Sequence, residues 1–210
     1  MKPAHLRKST PRLIGGWGLC QSLAAAIPLV LGCAHSAPVE ATAPAKGTAR
    51  PPSASLEQRY AGTYAYAGND AERAAVQAAV DKATDGMGIA TVFARSALMK
   101  RSEIRPTYTI GFDGKGNVSV ESPGYPAESS PTTGTEVKQT NKYGDQSENS
   151  QHFVGGALLQ EGRSGDGSGS TMFKLQPDGK TLIVTRIMKS PQLPGPVEFS
   201  LTYVRQHGSH

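Results

Sequence analysis

The chain has 210 residues, 37% hydrophobic and 19% charged, enough for one ordinary domain or two small ones and far too apolar for a wholly disordered protein. Its formal net charge is +5, but Lys2, Arg7, Lys8 and Arg12 supply four of those charges at the very start, where no acid stands. The remainder carries only about +1, too little for a surface that grips phosphate backbones, so nucleic-acid binding is set aside as a function class. The two cysteines are Cys20 and Cys33, so any domain beyond residue 33 has no disulfide and no cysteine-based metal site.

In chain order, the basic start leads into an apolar stretch that is densest over residues 23–31. Its uninterrupted core of about nine residues suits a signal peptide and is short of the roughly 20 needed to cross a bilayer. Cys33 follows directly. The sequence Val30-Leu31-Gly32-Cys33 resembles the lipobox of bacterial lipoproteins. That resemblance implies cleavage before Cys33, acylation of its thiol and attachment to a membrane of the cell envelope. With Ala34 and no Asp after the cysteine, it further implies the outer membrane where the cell has one. The competing reading is an ordinary signal peptide cut after Ala34. On the lipoprotein reading residues 1–32 are the signal peptide and residues 33–55 a lipid-anchored linker. The linker is rich in Ala, Pro, Ser and Thr and has almost nothing to bury. As coil it spans on the order of 25 Å, and up to roughly 70 Å as polyproline II.

The domain is expected over residues 56–206. Tyr60, Gly62, Tyr64 and Tyr66 fall at period two and predict a first strand. Asn69 with Glu72 forms a capping-box pattern opening a helix to about Asp85, with Val76, Val80, Ala83 and Met87 near one stripe. A second helix is expected from Ile89 to Lys100, with Ile89, Val92, Phe93 and Ala97 on one side, and Pro106 bars its continuation. Strands follow to the end. Residues 108–112 and 118–120 flank a turn-rich segment at 113–117, and further strands are expected around 134–140 and 152–160. Residues 165–170 read as a Gly/Ser loop. A second hairpin joins 171–176 to 181–189 across Pro177-Asp178-Gly179-Lys180, and residues 197–205 alternate cleanly as the last strand.

About eight short strands with no room for crossovers predict a mainly β domain, an antiparallel barrel or sandwich. Gly62-Thr63-Tyr64 on the first strand and Arg205 on the last resemble the Gly-x-Trp and closing Arg of the lipocalin and calycin barrels, with Tyr in place of Trp. The resemblance implies an eight-stranded lipocalin-like barrel with a helix pair between strands 1 and 2. In it Gly62 and Arg205 are structural, the guanidinium lying over the Tyr64 ring. The order of elements also resembles that of uncharacterised bacterial lipoproteins.

No residue set forms an active-site signature, so no catalytic residues, no enzyme activity and no cofactor are expected. His152 stands alone, which does not make a metal site. Asp81 and Asp85 share a helix face that solvent ordinarily covers. Asp113-Gly114-Lys115-Gly116-Asn117 has Lys and Val118 where a calcium loop needs a ligand and a glycine. Ser168 lies in a Gly/Ser tract, not a nucleophile elbow. Arg73, Arg95, Lys100 and Arg101 form either an anion-attracting cap or a wetted face. Two functions compete. One is an envelope lipoprotein whose barrel binds a small hydrophobic or amphipathic ligand against Tyr64, Tyr108, Phe112, Phe199 and Tyr203. The other is a structural or protein-interaction lipoprotein with a filled barrel. An interior cavity of about 300 Å³ or more separates them.

Overall fold

The computed structural model describes residues 55–165 and 167–206. The expected signal peptide, Cys33 and the linker up to residue 54 lie outside the described residues. The first element is a single helical turn, α1 (Leu56–Tyr60), which takes Tyr60 out of the first strand expected over residues 60–66. Ser55 and Gln58 are the cause: the Ser55 side chain accepts from the Gln58 N–H at 3.2 Å while the Gln58 side chain accepts from the Ser55 N–H at 3.1 Å. Tyr60 is thereby turned inward. Its hydroxyl donates to the Gly156 carbonyl at 2.8 Å and accepts from the Leu175 N–H at 3.0 Å.

Strand β1 (Gly62–Tyr66) is followed by helices α2 (Asp70–Ala83) and α3 (Ala90–Arg101). Asn69 caps α2 as its pattern predicts, accepting from the N–H groups of Ala71 and Glu72, and Val76, Val80 and Ala83 are buried. Glu72 faces the other way, binding the Thr202 hydroxyl at 2.7 Å and the Thr202 N–H at 3.0 Å, which pins α2 to the last strand.

Helix α3 corrects an expectation. Ile89, Val92 and Phe93, expected on the inner side, are 90%, 72% and 76% exposed, and the one buried residue of the helix is Leu98. Two stripes compete at helical spacing. The inner side is taken by Ala94, Leu98 and Arg101, joined by Ala97, the one member of the expected stripe that borders the space beneath the helix.

Ten strands, not eight, form the sheet. After β1 come β2 (Thr107–Phe112), β3 (Asn117–Glu121), β4 (Glu128–Pro131), β5 (Val137–Thr140), β6 (Gln146–Val154), β7 (Ala157–Ser164), β8 (Gly167–Leu175), β9 (Thr181–Lys189) and β10 (Val197–Arg205). The segment expected as one strand at 152–160 is broken by Gly155 and Gly156. Their φ values of 56° and 83° supply the two consecutive positive values that a two-residue hairpin turn requires. The expected Gly/Ser loop is mostly strand, because residues 168–170 pair with both β7 and β9 and Gly167 pairs with β7. Strand β4 was hidden among prolines.

The strands run in the order β4-β3-β2-β1-β10-β9-β8-β7-β6-β5, all antiparallel, and curl into a nearly closed barrel. Strand β1 pairs with β2 and β10, setting Tyr64 opposite Arg205. Edge strand β4 is joined to β5 by Gln139, which donates to the Ser129 carbonyl at 2.6 Å, and to β6 by Ser130, which donates to the Gln151 side chain at 3.0 Å. A bridge between Thr133 and His152 completes the seam.

The interior has two unlike halves. At the α1 end, Tyr60, Tyr64, Tyr108, Leu158, Phe173, Leu201 and Tyr203 are fully buried against one another, with Tyr108 edge-on to Phe173 at 5.2 Å and to Tyr203 at 5.0 Å. At the α2–α3 end the inward positions turn small or polar.

Candidate ligand cavity in the open half of the barrel

Alternation along each strand decides what faces inward. On β9, Leu182 and Val184 enter the packed half, and the same column continues as Arg186 and Met188. On β7 the column is Leu158, Gln160, Gly162 and Ser164, and on β8 it is Phe173, Thr171, Gly169 and Gly167. Each strand thus changes from bulky to small or polar as it nears α3. The result is a cavity of about 540 Å³, roofed by Met87, Ala94, Ala97 and Leu98 and walled by Asn149, Gly162, Gly169 and Met188. A contiguous pocket of about 160 Å³ leads down from it to Tyr108 and Phe173, sharing Arg105, Glu128 and Arg186 with the larger one.

Three charged groups meet there. Arg105, just before β2, is largely buried and lies 3.5 Å from Glu128 of β4, with its guanidinium 4.1 Å from the centre of the Tyr125 ring. Burial opposes its charge, but the surrounding Tyr108, Glu128 and Tyr125 oxygens more than offset that, and its pKa stands above the ordinary arginine value. Its Nε–H is buried with no partner among the described residues. Arg186 donates to the carbonyls of Arg101 at 3.1 Å and Glu103 at 3.4 Å, which holds the end of α3 over the opening. A guanidinium has five N–H donors, so the two bonds leave others for an occupant. No carboxylate lies within salt-bridge distance of Arg186 among the described residues. Glu128 is engaged by Arg105 and by the Gln160 amide. At the mouth, Lys142 is held by Glu103 at 2.9 Å and lies 4.0 Å from the centre of the Tyr125 ring.

The aromatic residues expected to line a ligand site fall elsewhere. Tyr64, Phe112, Phe199 and Tyr203 do not border the large cavity, and Tyr108 borders only the small one. Tyr64 and Tyr203 give their hydroxyl protons to internal carbonyls. The Tyr64 hydroxyl donates to the Tyr60 carbonyl at 2.9 Å, and the Tyr203 hydroxyl donates to that of Arg105 at 2.9 Å. Burial pushes the Tyr203 hydroxyl far above its ordinary pKa. Phe112 stacks on Phe153 at 6.2 Å, and Phe199 lies beneath Arg186, 5.7 Å from its guanidinium carbon.

Arg205 occupies the closed end. Its guanidinium lies 4.8 Å over the Tyr64 ring and donates to the Tyr64 hydroxyl and to the carbonyls of Arg59, Ala61 and Gly179. Gly62 has no side chain because that guanidinium fills the space: an added Cβ would sit 2.7 Å from Nη1.

The remaining candidates are spread apart. His152 packs on Gly134 at the barrel seam, and its Nδ1 has no partner among the described residues. Asp81 is held by Arg95 at 2.8 Å and Gln77, Asp85 is exposed, and Asp113 accepts from the N–H groups of Lys115 and Asn117 inside its hairpin. Ser168 borders both the outer groove and the large cavity. Of the four basic helix residues, Arg101 alone borders the cavity, while Arg73 pairs with Asp70 at 2.8 Å. Sequence reasoning passed over Arg105, Glu128, Arg186, Gly162 and Gly169. The cue for Arg186 was present, a charge in an otherwise apolar inward column. Isoleucines at 183 and 187 on the opposite column made the inward face ambiguous.

No protein-family model matches the chain, and no curated protein matches it. Among solved structures it is similar to the apo form of lipid binding protein 8 of Caenorhabditis elegans, at 13% identity over 70% of this chain and 96% of that one, with a TM-score of 0.46. It is also similar to fatty-acid-binding protein 1 of Echinococcus granulosus, at 12% identity over 71% and 98% of the two chains, with a TM-score of 0.45. A fatty acid binding protein of Schistosoma mansoni, solved in complex with arachidonic acid, is similar at 12% identity over 73% and 100%, also with a TM-score of 0.45.

Proposed function

We propose that this chain is a lipid-anchored protein of the bacterial cell envelope whose barrel holds one small amphipathic anion in its open half. The observation that carries the ligand reading is Arg186, an inward guanidinium with spare donors at the floor of a 540 Å³ cavity. That volume lies within the roughly 300 to 1,000 Å³ of small-molecule sites, and above the size that separates a binding barrel from a filled one. Arg105 adds a second cation and an unused N–H, and Glu128 offsets one of the two charges, so the site carries a net positive charge. The roof of Met87, Ala94, Ala97 and Leu98 supplies apolar surface opposite the cations. An occupant with an anionic group and an apolar body satisfies both.

Arg186→Met tests this. It keeps much of the side-chain volume and removes the donors, so calorimetric titration with amphipathic sulfonates and carboxylates should show affinity falling about tenfold to a hundredfold, as expected for charge-assisted hydrogen bonds. Equal affinity in the variant overturns the reading. The anchor rests on the lipobox-like sequence alone. Cys33→Ser should move the protein from the membrane to the soluble fraction on cell fractionation, and retention with membranes overturns that part.

A further inference from the structure

Charge and volume leave the shape of the occupant open, and the walls of the cavity constrain it. We infer that the occupant is a compact, ring-bearing anion and not an extended acyl chain, and that Gly169, with Gly162 beside it, is the position that selects for width. The inference rests on the ligand reading above and deepens it.

The cavity is short. Along β9 it is bordered from Arg186 to the last strand residue, Lys189, a rise of about 10 Å at roughly 3.3 Å per residue, and past the strand by Ser190, Gln192 and Leu193. Below that level Tyr64, Leu158, Phe173 and Tyr203 fill the barrel, leaving only the 160 Å³ pocket that ends on Tyr108. The cavity of about 540 Å³ therefore lies across the open half of the barrel, with no long channel below it.

The width comes from missing side chains. Gly162 and Gly169 face each other in register across β7 and β8, and both border the large cavity, the small pocket and a groove on the outside of the same wall. The barrel there is one backbone thick. Neither glycine has a positive φ, so the backbone does not require glycine at either position. A glycine inside a strand costs about 0.5 to 1 kcal/mol and marks places where something approaches the backbone closely. At Gly162 that neighbour is visible: an added Cβ would meet Asn149 Oδ1 at 2.5 Å. At Gly169 an added Cβ would sit 3.1 Å from the Ile187 carbonyl and 3.9 Å from Cγ of Met188, the side chain that borders the cavity beside it.

The test uses the purified full chain, whose folding is checked first by circular dichroism, with anilinonaphthalene sulfonate as a ring-bearing anion and hexadecanoate as an extended one. The dye is expected to bind the unmodified chain with enhanced fluorescence. Hexadecanoate is expected to displace it only at concentrations at least about tenfold above the dye's own dissociation constant, and Gly169→Val to weaken the dye by about tenfold. Phe93→Ser, on the outer face of α3, should leave dye binding unchanged. Displacement by hexadecanoate at concentrations equal to or below that constant overturns the inference on the unmodified protein, whatever the variant does, and leaves the anion site standing. So does a folded Gly169→Val chain that binds dye within twofold of normal, or a dye signal lost with Phe93→Ser. If neither probe binds, the ligand reading falls with it.

Discussion

Arg205→Ala should be among the most damaging single changes available outside the apolar core. The guanidinium joins four separate places: the end of α1 through the Arg59 carbonyl, the link to β1 through Ala61, the β8–β9 turn through Gly179, and the Tyr64 hydroxyl. Each charge-assisted hydrogen bond is worth about 1.5 to 3 kcal/mol, but the group is part exposed and its four bonds share one charge, so they do not add. Water will also reach some of the vacated carbonyls. The expected loss is about 2 to 4 kcal/mol, against about 0.5 for a solvated arginine. In urea, with a slope near 2 kcal/mol/M, that loss moves the midpoint down by roughly 1 to 2 M. Arg205→Lys should recover less than half of it, because one ammonium cannot reach carbonyls on three sides. Far-UV circular dichroism during urea melts is the assay. An unchanged slope with a midpoint shift under about 0.3 M would mean that the first and last strands are held by their ladder alone.

Tyr60→Phe should cost about 1.5 to 3 kcal/mol in the same assay, because the lost hydroxyl leaves the buried Leu175 N–H without its partner; a loss under 0.5 would show that water replaces it. Acid should destabilise the fold in a defined window. Asp113 is held below the usual carboxylate pKa by the Asn117 side chain and the N–H groups of Lys115 and Asn117, Asp178 by Thr181, Glu103 by Tyr125 and Lys142, and Glu148 by Arg163. With the folded values lowered, the unfolded chain binds protons first as pH falls. The stabilisation is therefore complete above the ordinary carboxylate range of about 4 to 4.5 and is lost below it. Melting temperature should be flat from about pH 8 to 5 and then fall, and Asp113→Asn with Asp178→Asn should flatten that fall; an acid limb unchanged in the double variant refutes the assignment.

What could be read from the sequence had a local cause. Asn69 and Glu72 announce a helix start because their hydrogen bonds close within four residues, although Glu72 turned out to bind Thr202 instead of its own helix end. The turns at 113–117 and 177–180 are written in Asp and Gly, and both Asp113 and Asp178 cap their own turns. Strand β10 alternates so cleanly that one register buries all of Val197, Phe199, Leu201 and Tyr203. The misreadings had non-local causes. Residues 168–170 have no strand propensity, and they are extended because β7 and β9 flank them on both sides. The outer and inner stripes of α3 are equally helical, and the barrel end beneath decides between them.

The position of the cavity follows from the same distinction. Large inward aromatic residues looked like the lining of a ligand site, yet such side chains fill a barrel by packing on one another. Tyr64, Tyr108 and Tyr203, expected to border a ligand, pack instead with Tyr60 and Phe173 in the filled half. An interior stays open where inward positions are too small to meet across it or too highly charged to be buried without a partner. Here those positions are Gly162, Ser164, Gly167 and Gly169 on one wall and Arg105, Glu128 and Arg186 on the floor. Composition alone cannot separate the two cases, because a glycine in a Gly/Ser tract reads as a loop until its register is known. The useful signal is a column that changes character along its length: Leu182, Val184, Arg186, Met188 on β9 and Leu158, Gln160, Gly162, Ser164 on β7. Where neighbouring strands change at the same height, the lower part is core and the upper part is site.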